Sequence, residues 1–158
     1  MLKWHFSMIN LFVKGNPMQN MTTAEYKEFL MTGTRTGKLA TVRADGRPHV
    51  APIWFVLDGD TLVFTTWHES VKAANLRRDP RVSLCVDEEV PPFAFVIVEG
   101  TVTISENPAE RLNWTTRIAE RYMGPDLAET FGQRNSVEGE LVVRLEPTKV
   151  IAQKNLAD

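Results

Sequence analysis

Residues 39–66 read LATVRADGRPHVAPIWFVLDGDTLVFTT, and this stretch decides the fold class. Leu39-Ala40-Thr41-Val42 reads as a strand, Asp45-Gly46-Arg47-Pro48 carries turn chemistry, and His49 to Leu57 is a second strand rich in β-formers. Asp58-Gly59-Asp60 turns the chain again into Thr61 to Thr66, where Leu62, Val63 and Phe64 sit among three threonines. The expected unit is a three-stranded antiparallel meander.

Toward the N-terminus, Thr22-Thr23-Ala24-Glu25 has the pattern of a capping box, and Tyr26, Phe29 and Leu30 follow at helical spacing, so a helix is expected over about 23–32. The first 21 residues are apolar in part, but Ser7 and Asn10 interrupt them and no small-residue cleavage pattern follows. They are expected to be a leader or extension, ahead of one domain at 22–153 and a tail at 154–158. No run approaches the roughly 18 apolar residues that cross a bilayer.

Toward the C-terminus, Ser70 is placed to cap a short helix that stops before Pro80, because proline restricts its predecessor and offers no amide hydrogen. Strands are expected at Arg81 to Asp87 and Ala94 to Ile104, with Pro91-Pro92 between them. A helix is expected from Asn107 to Tyr122 on the face Leu112, Ile118, Ala119 and Tyr122, then a short helix at Asp126 to Phe131. Strands at Glu140 to Leu145 and Val150 to Ala152 close the chain. About six strands at hairpin spacing, with helices that interrupt rather than alternate, predict an antiparallel β-barrel or sandwich, mainly β with flanking helices. Neither a GxGxxG nor a P-loop motif is present, so nucleotide folds of those types lack their signature.

Composition narrows the function. Eighteen Lys and Arg against twenty Asp and Glu give a net charge of −2, which removes a whole-chain electrostatic case for nucleic acid or an anionic membrane. The single Cys85 excludes an internal disulfide framework and reads as a small buried strand residue in a cytoplasmic protein. Three scattered histidines give no metal-ligand spacing, and His49 and His68 read as structural.

The chemistry-bearing stretch is Thr65 to Arg81. Thr65 and Thr66 end a strand, Ser70 opens a helix and Lys72 adds an ammonium, which together make an anion cradle where amide hydrogens and the helix dipole favour phosphate or carboxylate. The plainer reading is a capped surface helix with solvated cations, and Arg77, Arg78 and Arg81 are most often such a face.

Leu39 to Phe55, Ser70 to Leu84 and Val98-Glu99-Gly100-Thr101-Val102 resemble, in order and spacing, the pyridoxamine phosphate oxidase-like superfamily of split β-barrel flavin proteins, and within it the flavin- and deazaflavin-dependent oxidoreductases. The resemblance implies an FMN-binding split barrel that forms a homodimer, with a cofactor in a groove between subunits. It places the cofactor's phosphate at Thr65, Thr66, Ser70 and Lys72 and its ring against Pro52, Ile53 and Trp54. The oxidases that act on vitamin B6 carry basic residues where this chain has Ala51, Val56 and Val71, so that activity is disfavoured. The Pro52-Ile53-Trp54-Phe55 strand looks like the subgroup that depends on the deazaflavin coenzyme F420, whose acidic tail suits Lys72, Arg77, Arg78 and Arg81, although the subgroup also holds FMN binders. The implied function is a reductase that moves a hydride between F420 or FMN and a small organic acceptor. The rival is a non-catalytic protein that binds or carries a flavin, deazaflavin or tetrapyrrole.

Overall fold

A computed structural model describes residues 18–157; residues 1–17 of the expected leader and Asp158 of the expected tail lie outside the described residues. Strand β1 (Gln19–Asn20) pairs with Lys154 and Gln153, so the sheet starts before the boundary expected at residue 22 and reaches one residue into the expected tail. Helix α1 (Thr23–Met31) opens on the capping box: Thr22 Oγ1 accepts from the Glu25 N–H at 3.3 Å, and the Glu25 carboxylate accepts from the Thr22 N–H at 2.8 Å.

The antiparallel strands that follow are β2 (Gly37–Val42), β3 (Pro48–Ile53), β4 (Phe55–Asp58) and β5 (Thr61–Trp67). Helix α2 (Val71–Arg78) leads to β6 (Arg81–Glu88) and β7 (Ala94–Ser105). Helix α3 (Pro108–Met123), a 3₁₀ turn at Pro125–Leu127 and helix α4 (Ala128–Asn135) precede β8 (Glu140–Lys154). The sheet order is β3-β2-β6-β7-β8-β5-β4, with β1 on β8.

Two of the expected strands are corrected. His49 to Leu57 is not one strand: it breaks at Trp54, where β3 pairs with β2 while β4 pairs with β5. The expected meander is therefore two hairpins at the opposite ends of the sheet order, joined through Trp54 alone. This is an antiparallel barrel split at one seam. The two closing strands form instead one 15-residue strand. Pro147, which has no N–H for a ladder, is absorbed where the register against β7 shifts between Glu99 and Gly100.

Inside the barrel, Leu39, Phe55, Leu62, Phe64, Leu84, Val86, Val96, Val98, Leu141, Val143 and Leu145 are buried together. Outside it, α3 lays Trp114 and Ile118 on Val56, Val63 and Val142. That second layer explains why Phe55-Val56, Leu62-Val63-Phe64 and Leu141-Val142-Val143 are unbroken apolar runs: both faces of β4, β5 and β8 are covered there. The face of α3 differs from the expected one. Leu112 is exposed, and Trp114 and Thr115 take the inward positions with Ile118 and Ala119. Thr115 Oγ1 donates to the Gly132 carbonyl at 2.8 Å, which satisfies a polar group on that buried face and ties α3 to α4. Cys85 is half-buried rather than buried, and burial raises its thiol pKa, so it is not a poised thiolate.

Candidate functional site

The backbone beside the seam at Trp54 is tied down by α3. Arg121 donates from Nη1 to the Phe55 carbonyl at 2.6 Å, from Nη2 to the Leu30 carbonyl at 2.6 Å and from Nε to the Gly33 carbonyl at 3.1 Å. The Phe55 N–H donates to Tyr122 Oη at 3.2 Å, and that phenol donates to the Arg35 carbonyl at 2.8 Å. The backbone groups freed by the strand break thus find partners on α3. Burial raises the Tyr122 phenol pKa, against the Phe55 amide and the Arg121 charge, so it stays a protonated donor. The Tyr122 ring covers one side of Trp54, which remains 43% exposed.

Beside Trp54 lies a depression of about 240 Å³ lined by Pro52, Ile53, Trp54, Thr65, Lys72, Thr115, Ile118 and Asn135. Five residues expected from sequence, Pro52, Ile53, Trp54, Thr65 and Lys72, meet there. Strand alternation separates the two threonines: Thr65 faces the depression, whereas Thr66 is 3% exposed and its hydroxyl lies 3.0 Å from Ser70 Oγ. Ser70 caps α2 by accepting from the Ala73 N–H at 3.1 Å. Thr66 and Ser70 therefore hold the turn, and Thr65 and Lys72 line the depression.

Arg77 and Arg78 stand apart from Lys72, because five and six residues along a helix carry them roughly 140° and 240° around its axis. Arg77 donates to the His68 carbonyl at 3.0 Å and pairs with Glu106 at 3.5 Å. Arg78 bonds the Val42 carbonyl and reaches Asn75 Oδ1 at 3.3 Å. Arg81 is paired with Asp79 at 2.7 Å. Of the four basic residues suited to an acidic tail, Lys72 alone lines the depression, and Arg77, Arg78 and Arg81 each have a partner within the chain. His49 sits 3.4 Å from Thr41 Oγ1, and neither His49 nor His68 lines the depression.

Glu140, at the start of β8, was not singled out by sequence. Burial raises its carboxyl pKa, and a hydrogen bond from Thr65 and the charges of Lys72 and Arg111 oppose that rise. Thr115 and Asn135 also went unmarked, and Ile118 was expected only as part of a helix face. Only the helical spacing of Thr115, Ile118 and Tyr122 hints that they share a face. The donor set suits a flat conjugated ring joined to an anion: an exposed indole face, a hydroxyl, an ammonium and an amide surround one depression. Among the described residues no cluster of His, Cys, Asp and Glu could hold a metal, and no helix is long and apolar enough to cross a membrane.

Comparison with known proteins identifies the fold. Residues 22–154 match the family model described as pyridoxamine 5'-phosphate oxidase. A conserved hypothetical protein from Mycobacterium tuberculosis has a similar structure, with a TM-score of 0.76 and 30% identity over 85% of this chain and 86% of that one. An F420 reductase is also 30% identical, with a TM-score of 0.62 over 78% of this chain and 94% of that one. A FAD-binding protein from Mesorhizobium loti shares the fold at 20% identity, with a TM-score of 0.65 over 87% and 96% of the two chains.

Proposed function

The chain belongs to the pyridoxamine 5'-phosphate oxidase family of split barrels, and from that premise we propose that it is an oxidoreductase that transfers a hydride between the deazaflavin F420, in preference to FMN, and a small organic acceptor. The observation that carries this reading is the meeting of Trp54 and Lys72 in one depression. Lys72 offers its charge to an anionic group and Thr65 a hydroxyl. Trp54 offers a flat face whose orientation is fixed by Tyr122, and Ile53 and Ile118 add apolar surface to the same depression. A flavin or deazaflavin, when bound, supplies the hydride chemistry, and the chain supplies orientation and electrostatics.

Two features favour the deazaflavin over vitamin-B6 oxidation. Val56, at a position where the B6 oxidases have a basic residue, is 4% exposed and packs under Trp114, so no cation has room to reach a phosphate from there. Val71 precedes Lys72 where those enzymes carry a further cation. A charge-assisted hydrogen bond contributes roughly 1.5–3 kcal/mol, so losing these grips is a substantial loss for a small phosphate ligand.

The protein is further proposed to act as a homodimer. At about 240 Å³ the depression is smaller than the roughly 300–1,000 Å³ of enclosed ligand sites. A conjugated ring at Trp54 needs a second wall, and a twofold copy supplies one. The reading is tested by adding reduced F420 or reduced FMN with a panel of quinone and nitroaromatic acceptors. Oxidation faster than that of the free cofactor is expected; binding without acceleration across the panel would make the protein a carrier instead.

A further inference from the structure

A second, larger hollow lies elsewhere on the molecule. It measures about 640 Å³ and is lined by His68 and Arg77 from one side, Glu106 and Arg111 from the start of α3, and Glu138 and Glu140 from the entry to β8. Its walls are built rather than incidental. The His68 N–H donates to the Gly139 carbonyl at 2.9 Å, and Gly139 has φ +97°. A Cβ at Gly139 would lie 2.7 Å from His68 Cδ2 and 2.8 Å from the Trp67 ring, so glycine alone permits this approach.

Arg111 sets the chemistry. It is only 9% exposed, and its Nε is the one buried side-chain nitrogen or oxygen among the described residues without a hydrogen-bond partner. That nitrogen is itself shielded, but among the described residues no hydrogen bond or ion pair engages the rest of the guanidinium, which lines the hollow, and a buried charge left so is costly unless something completes it. The α3 amides do not compete for a ligand, since Asn107 Oδ1 already accepts from Ala109 at 2.9 Å and Glu110 at 3.2 Å. Of the hollow's three carboxylates, Glu106 pairs with Arg77, burial favours the neutral form of Glu140, and Glu138 is exposed to solvent, where its charge is screened. What is unmet is an acceptor for Arg111.

From this we infer that the hollow is an oxyanion-binding subsite, distinct from the Trp54 depression, in which Arg111 grips a carboxylate or phosphate of a small ligand and Arg77 meets it at the rim. The planar fork of arginine suits either group. The inference does not depend on which cofactor occupies the Trp54 depression.

Calorimetric titration of the whole chain with inorganic phosphate and, separately, with citrate tests it and tells the two chemistries apart. Saturable binding of at least one is expected. Arg111→Met, which replaces a buried charge with an apolar chain of similar length and so keeps the fold, should weaken that binding roughly 10–100-fold. Arg77→Ala, at an exposed position that does not threaten folding, should weaken it severalfold. Arg47→Ala, on the remote β2–β3 turn, should leave it unchanged. No saturable binding of either anion, or binding unaltered by both Arg111→Met and Arg77→Ala, would overturn the inference.

Discussion

The Trp54 and Tyr122 rings lie parallel, with 4.7 Å between centroids and 2° between planes. Trp54 is the single residue between two strands at opposite ends of the sheet order, and Tyr122 comes from a helix 68 positions later in chain numbering (122 − 54). The stack fixes an exposed indole at the seam of the barrel, with one face spent and the other open.

Removing that open face should show in binding. Trp54→Ala is expected to weaken cofactor affinity by about 1–3 kcal/mol, the range for stacking a conjugated base on an aromatic side chain. Tyr122→Phe keeps the ring but strips a partner from both the Arg35 carbonyl and the Phe55 N–H. It should lower stability by about 1–3 kcal/mol with a smaller effect on affinity. Fluorescence titration and thermal unfolding separate the two, and an unchanged affinity in Trp54→Ala would take Trp54 out of the site.

Lys72→Ala should weaken F420 and FMN by about 1.5–3 kcal/mol each, with wild-type F420 binding the tighter of the two. Raising salt should weaken wild-type binding more than mutant binding, because the charge pair being screened is gone in the mutant. Equal salt dependence in the two proteins would remove Lys72 as the anion contact.

In solution the chain is expected to run at twice its 17.9 kDa mass. Light scattering at micromolar concentration checks this, and a clean monomer with and without cofactor would count against a site walled by two subunits.

Glu140 gives a pH signature. A carboxyl whose pKa is raised on folding adds stability below its unfolded value, about 4.3, and loses it as pH rises through the folded value. Glu140→Gln should therefore unfold at a higher temperature than wild type near pH 8 and at the same temperature near pH 4. A mutant less stable at the higher pH would mean that Thr65, Lys72 and Arg111 hold the charged form after all.

Gly132 is where α4 touches α3: a Cβ there would meet Thr116 Oγ1 at 2.2 Å and Thr116 Cα at 2.7 Å. Gly132→Ala should cost about 1–3 kcal/mol by overpacking, a fall of roughly 2–4 °C in Tm for each kcal/mol. An unchanged midpoint would show that the two helices can separate freely.

Sequence by itself determined the local units: the Thr22–Glu25 capping box, the hairpin turns at Gly46 and Gly59, the Ser70 cap and the long α3. Each rests on contacts within a few residues, which composition and spacing encode directly. The anion-cradle pattern also marked Thr65 and Lys72, and the family resemblance added Pro52, Ile53 and Trp54. Tertiary structure alone decided that His49 to Leu57 breaks at Trp54, since a strand rich in β-formers ends there only because its halves find different partners in β2 and β5. It alone turned Thr66 inward and gave Arg77 and Arg78 partners away from Lys72, at His68, Glu106 and Val42, as the inward face of a strand and the neighbours of a helix exist only in the packed chain. The stacking of Tyr122 on Trp54 and the roles of Glu140 and Arg111 were legible only in three dimensions, because they come from burial beside residues distant in the chain, and burial belongs to the folded chain.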